Sequence, residues 1–184
     1  MKVQSVLRQS LPLLLLCGIG EVFAGALFGK SAHTLNMLPG LIVLIPALIG
    51  LRGNINTTLG SRLGSAAHMG LISSKDFWND EMKENIKASL ILSVVMSFLA
   101  GLLAYGTTIA IGKSSVGMLK IVVIAVLAGT IAGVILAFMT LSIILYAFRR
   151  GLDPDNITGP YLATFGDMIT LICIFSIAVV IGGM

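Results

Sequence analysis

Charge is scarce in this chain: only 11% of its 184 residues are Asp, Glu, Lys or Arg, while 57% are hydrophobic. A soluble domain carries roughly a quarter of its residues charged to keep its surface wet. A water-soluble globular fold is therefore excluded, and lipid is the apolar solvent that remains. Cysteine and histidine are as sparse, with two of each. Cys17 and Cys173 sit inside apolar runs, where free Cys packs as a small hydrophobe. They form no disulfide framework, and no Cys or His cluster is available for zinc, copper or iron. Nor does the net charge of +4 gather into a basic patch interleaved with aromatics. Nucleic acid is thus not an expected partner.

Long apolar runs are what the chain has in plenty, and its mean hydropathy is +1.02. A membrane-crossing helix takes about 20 mostly apolar residues, so the length allows about five spans, short loops and little else. Runs at 6–28, 38–71, 86–111, 118–148 and 157–181 supply them. The fold class expected is an all-α membrane protein of five transmembrane helices, residues 1–184 forming one integral membrane domain. Lys2 and Arg8 precede an uncharged apolar stretch from Leu11, and Ala24-Gly25-Ala26 resembles a cleavage site. Glu21 interrupts that run, however, and it continues to Phe28, so it reads as a retained helix. The most charged stretch, Ser73 to Lys87, reads as a solvated loop with Phe77 and Trp78 at the interface.

Basic residues set the orientation. A cytoplasmic N-terminus places Lys2, Arg8, Lys75, Lys83, Lys87, Arg149 and Arg150 inside and Lys30, Lys113 and Lys120 outside. An outer C-terminus follows from the odd number of spans. An odd number also excludes an inverted repeat within the chain, so any transporter-like symmetry needs a second subunit. Ala125, Gly129 and Gly133 recur every fourth residue as a small-residue helix face. It suits packing within one protomer or a seam between two.

Polar residues inside the spans carry the chemistry. A carboxylate at a helix centre costs about 2.5 to 3.5 kcal/mol on insertion scales, so it marks a wet or paired site. Asp167 lies deep in the last span, with Thr164 and Thr170 at i−3 and i+3 on its face. Pairing with Arg52 or Arg62 is the bland alternative. Glu21 lies nearer an end of the first span and is a candidate for the path, or for snorkelling to an interface. In span two, Asn54, Thr58, Ser61, Ser65 and His68 are spaced to share one helix face. That stripe is about 21 Å long at 1.5 Å per residue. It is either a wall of the path or the exit of the span into water, with His68 at the rim. Carboxylate, amide and hydroxyl oxygens suit a hard cation, and Mg²⁺ keeps several waters and takes one or two carboxylates. A two-fold homodimer with the last span at its axis would bring two copies of Asp167 to one ion.

Pro46-Ala47-Leu48-Ile49-Gly50, Gly53-Asn54 and Ser61-Arg62-Leu63 resemble the second-helix motif of the MgtE magnesium transporter family. Asp153-Pro154-Asp155-Asn156, Gly159-Pro160, Thr164 and Asp167 resemble its last loop and helix. The order and separation of the motifs and the helix count match over nearly the whole chain. The likeness is closest to the eukaryotic solute-carrier branch and its half-length prokaryotic relatives. The resemblance implies a dimer with the ion path between its halves, hydrated Mg²⁺ as transported ion, and Asp167 as the last-helix acid that binds it. Gly53 and Asn54 would line the pore, and Asp153, Asp155 and Asn156 would lie near the cytoplasmic mouth, where Asn156 also suits a helix cap. The acidic sensor and nucleotide-binding domains of the bacterial pattern have no counterpart in the sequence, so gating by them is not expected. The branch includes proteins proposed to exchange Mg²⁺ for Na⁺, which leaves channel and exchanger both open. A membrane-embedded metal-dependent enzyme acting on lipid headgroups, using Asp153, Asp155 and Asp167, is the alternative from another class.

Overall fold

Apolar runs of this length can satisfy their backbone in lipid only as helices, and helices are what form. The computed structural model describes residues 3–31, 35, 38–72, 78–150 and 154–182, with side chains described throughout these except at 3–10, 13, 148 and 154–157. The helices are α1 (Val3–Lys30), α2 (Leu41–His68), α3 (Asp80–Ala110), α4 (Met118–Arg150) and α5 (Pro154–Gly182). Among the described residues, α2 to α5 are long and apolar enough to cross a membrane. α1 is 28 residues long and lies along α5.

Four helix ends differ from the sequence reading for a local reason. α2 starts at Leu41 because Gly40 takes a left-handed conformation, φ 108°. Its end is closed by Gly70, φ 74°, whose N–H donates to Ala67 O while that of Leu71 donates to Ala66 O. This glycine C-cap satisfies the last carbonyls, so the polar stripe stays helical through His68. α3 begins at Asp80, not near Ile86. Asn79 Oδ1 accepts from the Met82 N–H at 3.0 Å, and Asp80 and Glu81 occupy the positive end of the helix. Of the charges read as a loop, those from Asp80 to Lys87 ride on the first turns of α3 instead, where Lys83 pairs with Asp80 and Lys87 with Glu84, while Lys75 and Asp76 lie outside the described residues. Phe77 lies outside the described residues, and Trp78 is exposed. α5 begins at Pro154, a residue suited to the first helical position, so Asn156 falls inside the first turn rather than at the cap.

α4 is the central helix, packed on α2, α3 and α5. Its small-residue face is spent inside the protomer. Ala125, Gly129 and Gly133 meet Gly101, Ser97 and Ser93 of the antiparallel α3, and a Cβ on either α4 glycine would overlap a serine hydroxyl. Two apolar clusters result. One gathers Leu41, Leu44, Leu48, Ala128 and Ile174; the other gathers Leu59, Leu63, Met82 and Ile144. Along α2 and α3 a buried polar layer separates them, containing Arg52, Asn56, Ser89, Ser93 and Ser97.

Candidate cation site

Three contacts fix α1 parallel to α5. Cys17 Sγ donates to Pro160 O at 3.4 Å, Gly20 lies against the Thr164 methyl, and the Phe28 and Phe175 rings meet edge-on at 6.3 Å. Gly20 is needed there, since a Cβ would overlap Thr164. This register carries Glu21 up to Asp167, near enough for each carboxyl group to feel the charge of the other. Asp167 is half-buried and Glu21 exposed on the protomer surface. Two carboxylates so close repel unless a proton or a cation lies between them.

Neither arginine neutralises that pair. Arg52 is fully buried and spends its guanidinium on α3: Nη1 donates to Ser93 Oγ at 2.6 Å, and Nη2 to Ser93 O and Ser97 Oγ at 3.1 and 3.2 Å. Arg62 is exposed and lines a cavity between α2 and α3. Among the described residues no ion pair joins either arginine to Asp167. The structural alternative for Asp167, an arginine lock between helices, is therefore absent from the described residues.

The stripe on α2 is where its spacing placed it. Asn54, Thr58, Ser61, Ser65 and His68 are all exposed on the protomer, while Leu59, Leu63 and Ala66 on the opposite side are buried. Gly53 is half-buried, and its carbonyl accepts from Thr57 Oγ1 at 2.8 Å. Asn54, Thr58 and Arg62 line a cavity of about 320 Å³ together with Asn85 and Ser89 of α3. A second cavity, of about 520 Å³, continues the groove past Asn54 to Gly50, Ala47 and Pro46. Contacts of Gly60 with Thr158 and of Gly182 with Leu38 set α2 antiparallel to α5. Asp167 thus lies at the depth of 51–53, and both it and Asn54 are near the midpoints of their helices. No contact between them is found among the described residues.

Thr164 and Thr170 are both buried: the first faces Gly20, and the hydroxyl of the second donates to Gly166 O at 2.6 Å. Asp153 lies outside the described residues, as do the side chains of Asp155 and Asn156. Among the described residues no group of three or more Cys, His, Asp or Glu could encage a bare metal. Two carboxylates without such a cage suit an ion that keeps most of its water. The sequence reading weighed Arg52 only as a partner for Asp167; the signal that would have placed it was the series Ser89, Ser93 and Ser97, every fourth residue in an apolar span.

Comparison with known proteins identifies the family. A family model described as MgtE, divalent cation transporter, matches residues 45–177. Solute carrier family 41 member 3 of Mus musculus is 32% identical over 165 residues, covering 85% of this chain and 33% of the relative. Solute carrier family 41 member 2 of Homo sapiens is 31% identical over 166 residues, covering 85% of this chain and 28% of the relative. The chain thus spans about a third of the length of the curated relatives it matches. The enzymatic alternative falls away, because the matched family is one of transporters, and the conclusion follows that this multi-pass membrane chain belongs to the MgtE family of divalent cation transporters.

Proposed function

We propose that the protein conducts a hydrated divalent cation, Mg²⁺, across the membrane, and that Glu21 and Asp167 hold it on the way. The observation that carries this reading is that Glu21 of α1 lies close to Asp167, near the middle of α5, with no basic residue paired to either among the described residues. Their two charges match one divalent ion, and Mg²⁺ sheds its waters reluctantly, so the carboxylates would contact the hydrated ion. Thr164 would support the site from α5. Asn54, Thr58, Ser61 and Ser65 would line the approach with uncharged oxygens, alongside Gly53, with Asp153, Asp155 and Asn156 at the cytoplasmic mouth and Thr170 further along α5.

A two-fold homodimer is part of the proposal, on new grounds. One protomer already brings two acids together, so charge balance no longer requires a second Asp167. The exposed polar face of α2 does call for a partner or water, because hydroxyls and amides turned to lipid lose their hydrogen bonds. A second copy against α2 and α5 would enclose that face as an aqueous path. The N-terminus is placed in the cytoplasm and the C-terminus outside, from the distribution of Lys and Arg.

Proteoliposomes loaded with a Mg²⁺-sensitive dye test the function. The wild-type protein should admit Mg²⁺, and repeating the assay with and without a Na⁺ gradient separates channel-like flux from exchange. Absence of flux under both conditions, with correctly inserted protein, would overturn the reading.

A further inference from the structure

Arg52 is a mid-membrane cation that the proposed path does not use. It is fully buried, and among the described residues it meets no carboxylate. Its guanidinium instead spans one turn of α3, from Ser93 to Ser97. Room for it is made by α4, because a Cβ on Gly133 would lie 2.5 Å from Arg52 Nη1. At 3.6 residues per turn, positions two apart differ by about 200° around the axis. Asn54 therefore projects from the side of α2 opposite to Arg52, and it is exposed where Arg52 is buried.

We propose that Arg52 is a positioning residue that fixes the rotation of α2, so that Asn54 faces the cation path. Leucine or alanine at this position would remove these directed bonds between α2 and α3. A planar guanidinium held by three directed hydrogen bonds resists rotation. The proposal rests on Asn54 belonging to the path, so its test needs one readout that does not depend on transport.

Asn54→Cys and Asn56→Cys, an exposed and a buried position two residues apart, are made in a Cys17→Ala/Cys173→Ala background and labelled with a charged, water-borne thiol reagent. With Arg52 present, the Asn54→Cys variant should label readily and the Asn56→Cys variant slowly. Arg52→Gln should narrow or reverse that ratio, and so should Ser93→Ala/Ser97→Ala, which removes the hydroxyl acceptors if the arginine variant fails to fold. An unchanged ratio in whichever of these folds overturns the proposal. In flux assays Arg52→Gln should raise the half-saturating Mg²⁺ concentration roughly tenfold, the scale of one lost polar contact to the ion. A fall in maximal flux alone, at unchanged half-saturation, would mark a merely structural residue and also overturn it. Lack of Mg²⁺ flux in the wild type would count against the transport reading, while the labelling ratio still decides the role of Arg52.

Discussion

Glu21 and Asp167 are the residues on which a cation path would depend most, because each supplies a charge that lipid cannot solvate. Removing one charge while keeping shape isolates that role. Glu21→Gln and Asp167→Asn should each cut Mg²⁺ flux at least tenfold while yield and insertion stay near wild type, and full flux in either variant would remove that residue from the site. A different test applies to the residues that only make room. Gly133→Ala should lower stability by about 1 to 3 kcal/mol, the usual range for overpacking, because the new methyl meets Arg52 and Ser93. Thermal unfolding in detergent reads that loss, and an unshifted midpoint would mean that α3 and α4 yield more easily than their close approach implies.

At the scale of the element, α2 combines a buried face with an exposed polar stripe, and the two should respond differently to substitution. Asn54→Leu should impair flux strongly. Ser142→Leu should not, since Ser142 is exposed on α4 and bonded to its own helix at Phe138 O; equal effects on flux would count against the stripe as a path. Helix number and rough limits were legible in the sequence, because each apolar run is near the length that a bilayer demands. The start of α3 was not: Asp80 to Lys87 looks like a loop in composition, and only the Asn79 cap and the paired charges make it helical. The stripe was legible from its spacing, since helical period alone determines which residues share a face.

At the scale of the whole molecule, the sequence could not reveal which helices meet. The approach of Glu21 to Asp167 depends on the register of α1 against α5, which Gly20 and Thr164 set by close packing. No period within either run encodes that register. The small-residue face of α4 was ambiguous for the same reason, and the structure resolves it as an inner seam with α3. The polar side of α2 is the surface proposed to meet a second copy. Cysteine cross-linking in membranes, through Ser61→Cys in a background lacking Cys17 and Cys173, should trap a dimer; an active species that stays monomeric would contradict the enclosed path.

The central claim, that Glu21 and Asp167 together hold a divalent cation, is tested most directly by anomalous diffraction from crystals soaked in Mn²⁺ as a stand-in for Mg²⁺. The account predicts a peak beside both carboxyl groups, within reach of a bridging water, that disappears in Asp167→Asn. A peak confined to the cavity between α2 and α3, or no peak in the membrane region at all, would contradict it.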